Sequence, residues 1–426
     1  MGAGEWSGLT APGRREPGLD AGFADFLAIL SSFEHSGLRI MDLFEQAARG
    51  RVVLPEAFAR LSRLYLFLEK ASGDPYSSLK KLSSIAPSAK VSRFLGEYSE
   101  VLISSGNTPA LVERYLEAEL EEHRARVSTL ISQLDAFFEG FLIMILSITV
   151  LAIIPGGFIT PIASALSTAG AGLVGYWIAS RISSALLTPR TPSSAAGDLA
   201  VIALAPLSYA GPAGVGIHAS LALILYLVLR GRVEMAVREE AEAVFAAGEA
   251  AAGLALGTPV DASITQRFRS SSILTFRVLG LALLNGFNAS RMLSSTRLPA
   301  LSRRALALLL APVEYNGTAA SLASSVSRII RHVGEARKWC LERSRMYFFY
   351  AVFTAATMLL TSLMMENSAL GLRLQRELVA STLYSSVSAS ITVASVVGRG
   401  GLFYSGKNVG VLLGLGMAVY LLSIIL

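Results

Sequence analysis

Residues 121–142 read EEHRARVSTLISQLDAFFEGFL, and this stretch decides the predicted fold. Its first half is charged and its second half is apolar, with no proline and no glycine until the third-last residue. The apolar residues recur at the spacing of one helix face, at Val127, Leu130, Leu134 and Phe137. A single helix is therefore predicted to begin outside a membrane and to continue into it.

The composition indicates a protein with both soluble and membrane-spanning parts. Of 426 residues, 53% are hydrophobic and 16% are charged, whereas soluble domains average about 45–50% apolar and about 25% charged residues. The net charge is +6. Basic residues beside membrane segments set topology more often than they bind nucleic acid, so no nucleic-acid partner is predicted.

Seven apolar stretches are predicted to cross a membrane, since one spanning helix needs about 20 residues. The stretch PGGFITP at 155–161 divides the first span from the second, because prolines and glycines suit a tight turn. The predicted organisation is a disordered leader (1–21), a helical domain (22–136), four spans (137–229, the last two at 199–210 and 215–229), a second helical domain (230–345) and three spans (346–426, at 346–365, 379–398 and 409–426). The stretches at 199–210 and 215–229 are each short for a full span, so a partly re-entrant pair stays open beside the favoured pair of tilted helices.

Basic residues orient the spans, because loops rich in lysine and arginine stay in the cytoplasm. Three such loops fall on one side, and they carry Arg181 and Arg190, Arg230 and Arg232, and Arg399 and Lys407. Arg373 and Arg376 fall on the other side, against the rule. The prediction is a multi-pass protein of the cell membrane whose N-terminus and two helical domains are cytoplasmic.

The second helical domain echoes the first at a distance of 211 residues, without a gap. KKLSS at 80–84 falls on RMLSS at 291–295, and Gly106 falls on Gly317. At the predicted membrane entry, Phe137 and Phe138 fall on Phe348 and Phe349. An internal repeat of this length predicts a duplicated structural unit. The predicted fold class is all-α, a polytopic membrane protein with two duplicated cytoplasmic helical bundles.

DPYSSLKKLSSIAPSAKVSRFLGEYSEVLISSGNTPALVERYLEAELEEH, residues 74–123, resembles the helical F-domain of platform proteins of type II secretion, type IV pilus and archaellum machines. The matching pattern is a leucine-bearing helix, Pro87, an apolar helix, a small-residue turn at Gly106 and a long helix into the membrane. The number of spans resembles the archaeal branch and its tight-adherence relatives.

The resemblance implies a non-enzymatic platform without a cofactor. The implied partners are a cytoplasmic hexameric ATPase of the secretion type, pilin or archaellin subunits, membrane lipids and a second copy of the chain. The resemblance leaves open whether the filament is an archaellum, an adhesive pilus or another pilus.

Motifs for nucleotide, metal or redox chemistry are absent from the sequence or lie in the wrong context. No Walker motif occurs, and GAGLVG at 170–175 lies inside a predicted span, where small residues favour close helix packing over nucleotide binding. The four histidines are far apart in sequence, and Cys340 is the single cysteine, which excludes an intramolecular disulfide. For His218, within a span, a hydrogen bond to a neighbouring helix is favoured over a functional role.

The second helical domain is basic and the first is not. Residues 230–345 hold 16 basic and 9 acidic residues, a net charge of +7, whereas residues 1–136 hold 15 basic and 18 acidic residues, a net charge of −3. Three interpretations of such arginines stay open: they dock an acidic face of the ATPase, they attract anionic lipid headgroups, or they form a solvated face with no partner. The candidate docking residues are Arg267, Arg269, Arg277, Arg291, Arg297, Arg303 and Arg304.

Two other function classes are weighed against the platform. A transporter or permease with cytoplasmic regulatory domains would ordinarily need an acidic residue deep in a span. The predicted spans contain no acidic residue apart from Glu139, near an entry point, which argues against that class. A membrane sensor signalling through its juxtamembrane helices would carry a kinase or cyclase signature, and the sequence shows none.

Overall fold

The computed structural model describes residues 17–52, 54–153, 161–255, 260–285, 299–310, 319–366 and 376–425. These residues form helices and no strand, so the all-α fold class is confirmed for them. The helices are α1 (Pro17–His35), α2 (Ile40–Ala48), α3 (Glu56–Ser72), α4 (Pro75–Ile85), α5 (Ala89–Ser104), α6 (Thr108–Ile153), α7 (Pro161–Ala185), α8 (Pro192–Leu204), α9 (Pro212–Ala255), α10 (Val260–Ser270), α11 (Leu274–Leu284), α12 (Ala300–Leu310), α13 (Ala319–Glu366), α14 (Arg376–Arg399) and α15 (Gly406–Ile425), with short 3-10 helices at Ala205–Ala210 and Leu402–Tyr404.

The predicted leader extends too far. Residues 1–16 lie outside the described part, but α1 begins at Pro17. Leu19 is buried. Proline is favoured at the first helical position, because its missing N–H has no helical partner there. Residues 17–21 therefore belong to the first helix and not to a disordered segment.

The chain forms two compact units, each made of two stretches. The first unit comprises Met1–His123 and Glu239–His332, and the second comprises Arg124–Arg238 and Val333–Leu426. Three long helices, α6, α9 and α13, each contain residues of both units.

The first unit has one apolar core, to which both predicted helical domains contribute. Phe26 and Phe58 stack with ring centroids 4.3 Å apart, and further aromatic rings surround them. The same cluster of buried side chains includes Phe268 and Phe276 from the second stretch. Helices with one apolar face become stable by burying that face against another element, so neither stretch is expected to fold alone.

Five helices are long and apolar enough to cross a membrane, by length and composition, in the described part of the chain. They lie in Thr108–Ile148, Pro161–Ala185, Pro192–Ala210, Pro212–Ala250 and Glu377–Arg399, and each overlaps one of the predicted spans. This is typical of a membrane protein. The other two predicted spans, at 346–365 and 409–426, are mostly helical, in α13 and α15, and include side chains outside the described part.

The third span begins earlier than predicted. The stretch assigned to a loop before residue 199 is helical from Pro192, where Thr191 caps α8 by accepting a hydrogen bond from the Ser194 N–H at 3.1 Å. An N-cap hydroxyl followed by proline is a helix start signal. Asp198 consequently lies inside a candidate span. The prediction that Glu139 is the lone acidic residue of the spans is wrong.

In the second unit, α14 is the central helix. All of the apolar window in Glu377–Arg399 is buried, and α14 packs against α7, α15 and the 3-10 helix Ala205–Ala210. Gly416 of α15 lies where an added Cβ would be 2.9 Å from the Tyr384 ring. Small residues let helices approach closely in a membrane, and here they surround a helix that carries eight buried serine and threonine side chains.

Cysteine labelling in intact cells tests the predicted orientation. We expect a membrane-impermeant maleimide to leave Ser84→Cys and Ser270→Cys unlabelled in a Cys340→Ala background, and to label both after lysis. Both positions are exposed in the first unit. Ala213→Cys, exposed in the first turn of α9 and within the predicted outer connection at 211–214, is the positive control and is expected to be labelled in intact cells. Labelling of Ser84→Cys or Ser270→Cys in intact cells would contradict the predicted topology.

Candidate functional site

In the first unit, the beginnings of α6 and α13 are joined by an ion pair. Arg328 donates to both carboxylate oxygens of Glu113, from Nη1 at 2.7 Å and from Nη2 at 3.0 Å. The Ser31 hydroxyl of α1 donates to the same carboxylate at 2.8 Å. Paired hydrogen bonds of this kind are stronger than neutral ones and fix the relative geometry of the two side chains. The pair therefore connects the first predicted domain to the second.

A second ion pair connects α1 to α12. The Arg304 guanidinium donates to Asp25, and each side chain is about one-fifth exposed. Burial raises the pKa of Asp25, and Arg304 opposes that rise. Arg304 was predicted to dock an acidic partner, and here an acidic residue of the same chain already contacts it.

Two of the four histidines meet in the first unit. His123 Nδ1 and His332 Nε2 lie 3.3 Å apart, on α6 and α13. Their separation in sequence concealed this contact. Within the described residues, no group of three or more His, Cys, Asp or Glu side chains is placed to hold a metal ion.

In the second unit, α6 and α13 meet again near the predicted membrane entry. The Tyr347 hydroxyl donates to Asp135 Oδ1 at 2.7 Å, and the Tyr347 ring stacks on Phe138 with centroids 4.5 Å apart. Cys340 is fully buried in the apolar cluster that includes these rings. Burial raises the pKa of the Cys340 thiol to about 12, so the thiol stays protonated and unreactive while the unit is folded.

Arg337 of α13 caps the C-terminal end of α7. Its Nε donates to the Leu186 carbonyl at 3.0 Å, and its Nη2 donates to the Leu187 carbonyl. The last carbonyls of a helix have no partner within the helix, and a cation is stabilised beside them. Arg337 thereby fixes the end of the second span to α13.

The predicted docking arginines fall into three groups. Arg291 and Arg297 lie outside the described residues. Arg267 lies between Glu242 and Glu249 at 3.7 and 3.6 Å, over the Phe245 ring, and Arg304 pairs with Asp25. The three that are exposed in the first unit are Arg269, Arg277 and Arg303.

A buried polar cluster lies at one end of the spans in the second unit, and the sequence did not predict it. Asp198 of α8 is fully buried. Its Oδ1 accepts from the Leu402 N–H at 2.9 Å, and its Oδ2 lies 3.6 Å from Arg190 Nη2. Arg190 in turn donates to the Tyr176 hydroxyl, which donates to the Ala195 carbonyl at 2.8 Å. A buried charge is ordinarily paired or hydrogen-bonded, and these contacts connect α7, α8 and the segment after α14.

Close packing at Gly401 brings the backbone near Asp198. A Cβ at Gly401 would lie 2.8 Å from Asp198 Oδ2. The preceding Gly400 has φ +89, in the left-handed region that favours glycine. The pair of glycines in RGGLFY was the available sequence signal for this approach.

His218 bonds to two neighbouring helices, as predicted. Its Nε2 lies 2.8 Å from the Val201 carbonyl of α8, and its Nδ1 lies 2.8 Å from the Tyr384 hydroxyl of α14. Because a carbonyl can only accept, Nε2 carries the proton and Nδ1 accepts from Tyr384. Both ring nitrogens of this buried histidine are therefore occupied by structural bonds.

GAGLVG at 170–175 supplies close packing. A Cβ at Gly172 would lie 2.9 Å from Ile202 Cγ2 and 3.0 Å from Ala389 Cβ, and a Cβ at Gly175 would lie 2.5 Å from the Phe137 ring. Gly170 faces open space. The stretch is in the middle of α7, with no strand before it in the described residues, so a nucleotide fingerprint does not apply.

Glu34 is the centre of a buried network in the first unit that sequence reasoning missed. Its carboxylate accepts from the Tyr98 and Thr108 hydroxyls and from Arg39 Nη1 at 3.1 Å. Burial and the Glu34 charge raise the pKa of Tyr98 well above its usual range, so the phenol remains a donor. The available sequence signal for this network was Glu34 itself, an acidic residue near the end of the apolar run FADFLAILSSFEH at 23–35.

No protein-family model matches the chain, and neither a curated protein nor a solved structure matches it. The resemblance of residues 74–123 to the F-domain of platform proteins therefore stays a prediction.

Proposed function

We propose that the chain is a non-enzymatic membrane platform of a type IV pilus-like or archaellum-like filament machine. In this function it couples a cytoplasmic motor ATPase to the assembly of filament subunits. The observation that carries the proposal is the continuity of α6 and α13. They have 46 and 48 residues, so each is roughly 70 Å long at 1.5 Å per residue. A continuous helix transmits a displacement from one end to the other with little slack.

The proposal includes an internal duplication of the helical segment that leads into the membrane, and the helix boundaries support this duplication. α5 begins at Ala89 and α12 at Ala300, and α6 begins at Thr108 and α13 at Ala319. Both separations are 211 residues, the spacing of the sequence echo. Side-chain contacts between α6 and α13 join residues whose separation in sequence is close to 211. The separation is 209 and 215 for the two contacts in the first unit and 212 for the contact in the second unit. Two copies of one helix packed in parallel around a local two-fold axis would give this pattern.

The exposed arginines of the first unit are the candidate contact for the motor. Arg269, Arg277 and Arg303 are exposed, and charges of this kind steer the encounter with an acidic surface. Arg267 and Arg304 are excluded from this role, because acidic side chains of the same unit contact them.

A transporter is the second candidate, because Asp198 lies in a candidate span. Intramembrane ionisable residues mark ion or substrate pathways by default. The fixed partners of Asp198, the Leu402 N–H and Arg190, favour a structural role. Loss of transport in an Asp198→Asn strain that keeps normal filaments would favour the transporter instead.

Breaking α6 tests the platform proposal. Ser132 is exposed, and Ser132→Pro removes one helical hydrogen bond and costs about 3 kcal/mol or more. We expect a strain whose only copy carries Ser132→Pro to insert the protein in its membrane and to form no surface filaments by electron microscopy. Ser132→Ala is the matched control and is expected to form filaments in wild-type numbers.

A second variant separates uncoupling from misfolding. The double glycine variant Ser132→Gly/Gln133→Gly softens the helix without the steric clash of proline, at about 1 kcal/mol per glycine. We expect normal protein levels in the membrane and fewer filaments. Wild-type filament numbers in the proline strain would contradict the transmission role of α6, and wild-type filaments after deletion of the gene would overturn the platform proposal.

A further inference from the structure

Helix α11 is apolar apart from Thr275 and Arg277, and its outward face is exposed in the described structure. Its sequence is LTFRVLGLALL, with Phe276, Leu279 and Gly280 buried in the first unit. The outward side chains are exposed to an unusual degree, at 69% for Leu274, 50% for Val278, 50% for Leu281 and 58% for Leu284. A helix that is hydrophobic all round is ordinarily buried on every side. The outward face of α11 therefore requires a covering surface.

The exposed side chains form one continuous stripe. At about 100° per residue, the four outward side chains fall within an arc of roughly 120°. Arg277 lies on the same arc and is exposed. No carboxylate occurs in the helix. Contiguous exposed apolar surface marks a membrane or protein interaction site, and here its only charge is positive.

The surroundings of the stripe favour an anionic bilayer surface. The last turn of α10 holds Arg267 and Arg269, and Arg269 is exposed. Leucine and valine beside arginine are the composition of helices that lie in the interface of membranes with anionic lipids. Long basic side chains can reach the headgroups while their stems cover apolar surface.

The beginning of α11 is attached to α9, a helix that contains a candidate span. The Thr275 hydroxyl donates to Glu239 of α9 at 3.1 Å. Glu239 follows Arg230, the basic end of the predicted fourth span, by nine residues in the same helix.

We propose that the outward face of α11 lies in the headgroup region of a bilayer that contains anionic lipid. Leu274, Val278, Leu281 and Leu284 enter the boundary of the acyl chains, and Arg277 and Arg269 contact lipid phosphates. This assignment takes Arg269 and Arg277 out of the candidate motor contact and leaves Arg303 there. The lipid contact itself requires only that the chain reside in a membrane.

Fluorescence quenching in nanodiscs tests the contact on the full-length protein. Leu281→Cys in a Cys340→Ala background is labelled with an environment-sensitive fluorophore, and the discs contain lipid with a nitroxide near the headgroup. With phosphatidylglycerol in the disc, we expect quenching at position 281 roughly two-fold or more above that at Ser84→Cys, an exposed control site in α4. Leu274→Cys is a second site, expected to behave as Leu281→Cys does.

Two matched double variants test whether the arginine charges contribute to the lipid contact. Arg269→Gln/Arg277→Gln is expected to lower the quenching at 281 in phosphatidylglycerol discs towards its value in phosphatidylcholine discs. Lys80→Gln/Lys81→Gln removes two exposed charges from α4 and is expected to leave the quenching at 281 unchanged. Three outcomes would each overturn the proposal. The first is quenching at 281 equal to that at Ser84→Cys, and the second is equal quenching in both lipids. The third is disulfide cross-linking of two copies through position 281 without quenching.

Discussion

Asp198→Ala is expected to destabilise the second unit by about 3–5 kcal/mol, the cost of breaking a buried pair by removing one partner. The fully buried carboxylate is the acceptor for the Leu402 N–H, and it is the acidic neighbour of Arg190. Alanine leaves the N–H without that acceptor and the guanidinium without a counter-charge. The contacts between α7, α8 and the segment after α14 should loosen together.

The single cysteine provides the measurement. Cys340 is buried in the second unit, so a thiol-reactive fluorophore should react with it only as that unit unfolds on heating. Asp198→Asn keeps an oxygen acceptor for Leu402, and a smaller loss of thermal stability is expected. In the double variant Arg190→Leu/Asp198→Leu no unpaired charge remains, so it should melt above Asp198→Ala. Equal melting of Asp198→Ala and wild type would show that the cluster is not a structural anchor.

Glu34→Ala is expected to destabilise the first unit by about 3 kcal/mol. The substitution leaves the Tyr98 and Thr108 hydroxyls without their carboxylate acceptor. A buried group that loses its hydrogen-bond partner costs about 1–3 kcal/mol. Both hydroxyls lie on helices, α5 and α6, that pack against α1 in the same unit, so the loss should spread across that interface.

Hydrogen exchange of the full-length protein measures this effect. Amide protons of α5 that exchange through global opening of the first unit are expected to exchange roughly 100-fold faster in Glu34→Ala, since 1.4 kcal/mol is a factor of ten. Tyr98→Phe in the Glu34→Ala background is expected to recover none of the loss, because the Tyr98 hydroxyl also accepts from the Ile40 N–H at 3.1 Å. The exposed pair Arg60–Glu56 supplies the control, because Glu56→Ala is expected to change exchange little. Unchanged exchange in Glu34→Ala would rule out a central role for the network.

Local sequence predicted the helical secondary structure of the described residues and the five helices that are apolar and long enough to cross a membrane. The stretch 121–142 contains no helix breaker before Gly140, and the structure has one helix across it. Each of the five candidate spans contains a run of apolar residues recognisable on its own, because insertion depends on the summed hydrophobicity of consecutive residues. The boundary of α8 was placed too late, because a polar stretch that begins with Thr-Pro is compatible with both a loop and a helix start.

By itself, then, the sequence determined that the described chain is helical, that parts of it suit a membrane, and that His218 bonds to neighbouring helices. The tertiary structure alone decided which charges meet across the chain. Arg304 contacts Asp25, 279 residues away. Asp198 meets the Leu402 N–H across 204 residues. Contacts of this range depend on how whole helices pack, and side-chain periodicity within one helix carries no information about the residue that it will meet on another.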